Sequence, residues 1–150
     1  FNTINSFRHL ATEKAAVAHL RCMAAGLAKG GLYILGIHLE PISVPPMTEE
    51  SWSARRGHLV VNSYMWSKGI DRATRLEHLG MTIDVYTPTS HLKIEDHMEY
   101  RTYTRKQFAA LLKKVPELEV AETYDFSYEL DQPHVVNDAS EDVVFVLRKK

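Results

Sequence analysis

The chain has 150 residues, 45% of them apolar and 25% charged, which suits one ordinary globular domain with a real core and leaves no room for several. Eighteen Lys and Arg stand against 19 Asp and Glu, a formal net charge of −1 with no long basic block. That balance excludes a chain whose main work is neutralising nucleic-acid phosphates or binding an anionic membrane surface. The longest apolar run, residues 32–39, is interrupted by Gly36 and His38 and falls far short of the ~20 residues that a membrane span needs.

A single cysteine, Cys22, makes no internal disulfide and no Cys-based zinc site, so a reducing, cytoplasmic setting is expected. The chain opens on Phe1-Asn2-Thr3-Ile4-Asn5 without an initiator Met and in mid-pattern. A piece of a longer protein is therefore expected.

Residues 12–29 carry the clearest helical pattern. Thr12 suits the N-cap, Glu13 the positive end of the helix dipole, and Val17, Leu20, Met23, Ala24 and Leu27 recur at three- and four-residue steps. Cys22 beside this stripe reads as a small buried hydrophobe. Lys29-Gly30-Gly31 closes the helix. Residues 32–39 then run without polar alternation, the pattern of a central strand covered on both faces, and helix, glycine turn and buried strand together predict a parallel α/β sheet.

Residues 40–57 hold three prolines, several Ser, Thr and Glu and little periodicity, which predicts a surface loop with a short helix near Trp52. From His58 to Thr102, short β-prone runs at 59–61, 64–66, 82–86 and 98–102 alternate with Gly69, Gly80 and Pro88 and predict an inserted antiparallel meander. Thr104 and Gln107 have capping-box spacing ahead of Phe108, Leu111, Leu112 and Val115, so a second helix runs from 104 to 115 and stops at Pro116. Two strands, 118–126 and 142–147, complete the chain around a polar, proline-containing stretch.

The segment Asn5-Ser6-Phe7-Arg8-His9-Leu10, followed by the capped helix and then Gly30-Gly31-Leu32-Tyr33-Ile34, resembles the second half of a class I S-adenosylmethionine-dependent methyltransferase. Within that family it is most similar to the small-molecule branch that includes glycine N-methyltransferase, in which an Asn-Ser-Phe-x-His-Leu segment follows the fourth strand. The resemblance continues through the Tyr103-Thr104 helix start, Tyr124-Asp125-Phe126 and the terminal strand. It implies an α/β fold, the C-terminal part of a Rossmann-like sheet with the meander as a lid, and a last strand, 142–147, running antiparallel. It also implies S-adenosyl-L-methionine as cofactor, a small-molecule acceptor, and cofactor-binding roles for Asn5, Ser6 and His9. The family's glycine-rich turn and ribose-binding acidic residue have no counterpart in the chain, so one wall of a cofactor cleft is expected without its floor.

The residues leave alternatives open. Asn5 and Ser6 either position the cofactor at the carboxyl end of a strand or form a turn and cap a helix, and His9 either lies near the cofactor or makes a structural hydrogen bond. Methyl transfer asks mainly for in-line positioning, exclusion of water and sometimes removal of a proton. His38, ending the buried strand, is the candidate base, against a backbone-bonded strand end. In the meander, Tyr64, Arg72, Arg75 and Tyr100 are candidates for clamping an acidic or amine-bearing acceptor, with Trp66, Tyr86, Arg101 and Tyr103 nearby in sequence, against ordinary half-solvated sheet positions.

Eight histidines show neither an i, i+4 helical pair nor an H-x-H strand pair, so no metal is expected. The rival function is a non-catalytic α/β binding or oligomerisation module. For either, pairing with a second copy or with a missing N-terminal part is a possible partner relation, since an isolated half-sheet exposes a strand edge.

Overall fold

The first helix forms where the sequence places its signals. Helix α1, Glu13–Gly26, begins at Thr12, whose hydroxyl accepts the Ala15 N–H at 3.1 Å, one of the donors a helix start would otherwise leave unpaired. It buries Ala16, Leu20 and Ala24, four residues apart on one side, with Val17, Met23 and Leu27 packed at the margin. Cys22 is exposed, contrary to expectation: two residues past Leu20 is roughly 200° round the helix, on the solvent side. The chain reverses through Gly30, left-handed at φ 77°, whose N–H donates to the Lys149 carbonyl at 2.8 Å.

A computed structural model describes all residues from Phe1 to Lys150, and they form two compact units, Phe1–Pro46 with Arg101–Lys150, and Met47–Tyr100. In the first unit, strands β1 (Leu32–His38), β6 (Leu118–Tyr124) and β7 (Asp142–Lys149) form a sheet of order β1-β7-β6. The terminal strand β7 lies in the middle and runs antiparallel to both neighbours, as the resemblance implied. Helix α2, Arg105–Leu112, carries the complete capping box: Gln107 N–H donates to Thr104 Oγ1 and Thr104 N–H to Gln107 Oε1. Phe108 of α2 packs on Phe7 and Phe145, and with Leu20, Leu35 and Leu147 they form the core.

The expectation of a central β1, paired in parallel and buried on both faces, is corrected. Tyr33, Leu35 and Ile37 are buried, but Leu32 is 52% and Ile34 39% exposed. On its outer edge β1 has only one isolated parallel bridge, Asn2 with Leu35, made by Asn2 N–H to the Ile34 carbonyl (2.8 Å) and Gly36 N–H to the Asn2 carbonyl (2.9 Å). An apolar run signals that a strand is covered somewhere; it does not say which edge is paired or whether both faces are covered.

The second unit is a four-stranded antiparallel sheet in the order β2-β3-β4-β5: β2 (Glu49–Arg56), β3 (Leu59–Asp71), β4 (Leu76–Tyr86) and β5 (His91–Arg101, whose last residue belongs to the first unit). The predicted loop with a short helix near Trp52 is therefore a strand, and the sheet starts at Glu49, before His58. The two-residue hairpin Gly57-His58, with Gly57 at φ 61°, is what pairs β2 with β3. A β-bulge interrupts β3 between Ser67 and Gly69, with Gly69 at φ 120°. Gly80 lies beneath the Trp66 ring, and a Cβ there would sit 2.4 Å from Trp66 Cζ2.

Candidate functional site

The unusual backbone of the first unit is concentrated where the chain leaves its bridge to β1. Ile4 (φ 56°) and Asn5 (φ 64°) are consecutive left-handed residues, and for a β-branched residue such as Ile4 that conformation is strained. Gly36 lets this turn come close, because a Cβ there would already meet Thr3 Cα at 3.4 Å and the Ile4 nitrogen at 3.6 Å. The turn is held by Asn5, a buried residue whose Oδ1 accepts the backbone N–H of His38 at 2.8 Å. A 3-10 turn, Ser6–His9, follows and drives Phe7 into the core. Arg8, buried beside it, donates through Nε to the Arg101 carbonyl at 3.1 Å.

His38 ends β1. Its Nε2 lies 3.1 Å from Asp142 Oδ1 at the start of β7, close enough for an ion pair when protonated but not aligned for a hydrogen bond. Its ring meets that of Phe126 at 5.1 Å. Neither Asp142 nor Phe126 stood out in the sequence as a site residue; both come to His38 only through the antiparallel β7 and the segment after β6.

On the other side of the strained turn is an open groove of about 580 Å³, lined by Asn2, Thr3, Ile4, Ser6, His19 and Tyr33 among others. His19 Nε2 and the Tyr33 hydroxyl are 2.9 Å apart. Burial holds the His19 imidazole below its ordinary pKa and the Tyr33 phenol above its own. Asn2 Oδ1 is buried with no hydrogen-bond partner.

The expected site residues are thus distributed. Asn5 and His38 are joined by a hydrogen bond, and Ser6 lines the groove, with its hydroxyl donating to the Thr3 carbonyl at 3.4 Å. Asn5 spends its amide oxygen on the fold, and His9 is exposed. In the second unit, Tyr64 is in mid β3, donating to Glu49 and stacked on Trp66 at 5.4 Å. Arg72 and Arg75 sit in the β3–β4 turn, Arg75 left-handed at φ 60°. Asp71 shapes that turn by accepting the Ala73 N–H at 2.9 Å, and bonds from the Thr74 side chain and these backbone amides hold its carboxyl below the usual range. Seven residues of extended strand, roughly 23 Å, separate Tyr64 from Asp71, so Tyr64 and the two arginines are not brought together. Tyr100, buried near the end of β5, follows Glu99, which pairs with His78 close to the turn. No group of three His, Cys, Asp or Glu side chains is arranged to hold a metal ion, and no helix is long and apolar enough to cross a membrane.

No protein-family model and no curated protein sequence matches the chain. Solved structures do. An S-adenosylmethionine-dependent methyltransferase from Clostridium acetobutylicum superposes with a TM-score of 0.71 at 14% identity, over 98% of this chain and 56% of that one. DesVI from Streptomyces venezuelae gives 0.69 at 16% identity, over 99% and 56%. CalS10 from Micromonospora echinaspora, an amino pentose methyltransferase of calicheamicin biosynthesis solved with S-adenosylmethionine bound, gives 0.67 at 16%, over 98% and 56%. The architecture is α/β, that of the C-terminal part of a class I methyltransferase with an antiparallel meander set into it. The chain spans a little over half the length of these solved structures.

Proposed function

We propose that this chain is the C-terminal part of a catalytic domain that transfers a methyl group from S-adenosyl-L-methionine to a small-molecule acceptor. The observation that carries the reading is the strained Ile4-Asn5 turn, fastened by the Asn5–His38 hydrogen bond at the carboxyl end of β1, in a chain whose whole length follows the methyltransferase fold. Ligands of open α/β sheets lie outside the carboxyl ends of strands, and backbone strain gathers where a ligand must be met.

The residues present fit one wall of a cofactor site. Ile4, 76% exposed, offers apolar surface beside the polar Ser6, and Asn2, whose Oδ1 is buried without a partner, belongs to the same groove's wall. The 150 residues contain no glycine-rich turn between a strand and a helix to complete it. When bound, the cofactor supplies an electrophilic methyl group. The chain's own part is positional: Asn5 holds the turn, and His38 is the candidate proton acceptor. Asp142 Oδ1, 3.1 Å from Nε2, would pair with the ring once His38 takes up a proton. CalS10 acts on an amino pentose, and an amine acceptor that must lose a proton gives His38 this task.

The meander we assign to the acceptor, with Arg72 and Arg75 at its turn as the charged contacts and Tyr100 as a further candidate; Tyr64, roughly 23 Å along β3, is too far from the turn to share that contact. The reading is tested by calorimetry with S-adenosylmethionine. The 150-residue chain alone binds weakly or not at all, and the protein extended at its N-terminus binds at micromolar concentration; micromolar binding by the short chain overturns this site. In the extended protein, Arg75→Ala raises the acceptor KM and leaves cofactor affinity unchanged, the pattern of lost uniform binding. Unaltered acceptor kinetics in both Arg75→Ala and Arg72→Ala would remove the acceptor role from the turn.

A further inference from the structure

The segment that leaves β6 is a built turn that the core does not require. Ser127 donates to Asp125 Oδ1 through its hydroxyl and through its N–H at 2.9 Å, and these two bonds hold the Asp125 carboxyl below its usual range. The Tyr128 N–H returns to the Asp125 carbonyl at 3.4 Å. Tyr128 itself is left-handed at φ 58°, a costly conformation for a bulky residue, yet it is 50% exposed and has no part in the core. The Phe126 and Tyr128 rings lie 15° from parallel with centroids 6.0 Å apart. Phe126 also meets the His38 ring and reaches Gly36, where a Cβ would already touch Phe126 Cε1 at 3.4 Å. Asp142, opposite His38 in the β1–β7 register, keeps Oδ1 buried with no hydrogen-bond partner. Neither Asp125 nor Asp142 is paired with a Lys or Arg.

We propose that Phe126, Tyr128 and Asp142 form a wall that takes an alkylammonium group and so selects an amine as the acceptor; this rests on the reading of His38 as the proton acceptor. Aromatic ring faces carry negative potential and attract a cation, whereas a plain hydrocarbon wall would not tell an amine from an alcohol of the same shape. Asp142 Oδ1 offers the acceptor that an ammonium N–H needs, and the ammonium offers the donor that this buried oxygen lacks. An anionic group would meet ring faces and two carboxylates, and is refused. When the ammonium passes a proton to His38, the N–H bond breaks and its electron pair stays on nitrogen. Asp142 then faces the imidazolium instead of the ammonium, so the carboxylate is opposite a positive charge before and after the transfer. Strain at Tyr128 is repaid by the cation it meets.

The test is proton NMR of the 150-residue chain with tetramethylammonium chloride, and with tert-butanol as an uncharged probe of similar shape. The cation is expected to bind with a Kd of about 1–10 mM, its methyl signal moved upfield by the rings, and at least ~10-fold more tightly than the alcohol. Tyr128→Ala and Asp142→Asn each weaken it about threefold or more, through loss of one ring and of one charge. Tyr128→Phe keeps the ring and holds the affinity within about twofold, which separates the ring from any effect on folding. No binding at about 50 mM, equal affinity for the alcohol, unchanged affinity in Tyr128→Ala or Asp142→Asn, or a Tyr128→Phe as weak as Tyr128→Ala overturns the proposal. None of these readouts involves the cofactor or turnover. Their failure removes the amine wall and leaves methyl transfer standing, whereas an N-terminally extended protein that binds the cation here and transfers no methyl group supports the wall and removes the methyltransferase reading.

Discussion

Replacing Asn5 by alanine removes two things at once. The His38 N–H loses the acceptor that satisfies it at 2.8 Å. A buried donor left unpaired costs about 1–3 kcal/mol, and this hydrogen bond is only partly buried, so the lower end applies. The backbone at residue 5 must also stay left-handed at φ 64°, which asparagine tolerates and alanine resists by about 1–2 kcal/mol. Together the loss is about 2–3 kcal/mol. Asn5→Gly relieves the backbone and keeps only the hydrogen-bond loss and added unfolded-state entropy, about 1–2 kcal/mol. Asn5→Asp keeps an acceptor oxygen in place and costs under about 1 kcal/mol. Urea unfolding followed by far-UV circular dichroism ranks the three. If alanine costs under about 0.5 kcal/mol, or aspartate as much as alanine, the turn is not fastened through this oxygen and the reasoning fails.

Other perturbations read other parts of the structure. Leu35, fully buried in β1, should lose about 2–5 kcal/mol on change to alanine, and rapid amide exchange along β1 would contradict its place in the core. Gly80→Ala drives a Cβ into the Trp66 ring, so Trp66 must leave its position; in a Trp52→Phe background its emission should shift to the red, and an unchanged spectrum would disprove the contact. Burial holds the His19 pKa below its ordinary 6.5, so the unfolded chain takes up this proton first as pH falls. The stability His19 contributes is full above pH 6.5 and declines below it. His19→Gln should flatten urea midpoints between about pH 5 and 7, and an equal slope in both proteins would refute the assignment.

Local chemistry was legible where it depends on neighbours in sequence. Thr12, Thr104 and Gln107 cap the helices as their spacing predicts, because a cap needs only a side chain three residues from the donor it satisfies. The order of the sheet was not legible from the β1 run, since β7 reaches its central place from more than one hundred residues away and brings Asp142 to His38 from there. Strand β2 was hidden because Ser51, Trp52, Ser53 and Ala54 alternate too weakly to stand out among polar neighbours; its one local signal was the glycine of the two-residue turn that follows. Asn5 was found for its place in a motif, and its hydrogen bond to β1 needed the fold.

The bulge in β3 gives the Arg72–Arg75 turn a mode of variation that the rest of the sheet lacks. Up to Ser67 the ladder keeps a fixed parity of sides; beyond Gly69 the extra residue reverses it, so that Ile70 pairs with Glu77 and points to the side that an unbroken strand would deny it. Deleting one residue at the bulge would leave every pair on either side of it in place, because β4 is regular throughout, and would remove only the local bend and added twist with which the bulged strand aims the turn. A single-residue change at positions 67–69 therefore alters the angle at which Arg72 and Arg75 are presented without exchanging the two faces of the sheet.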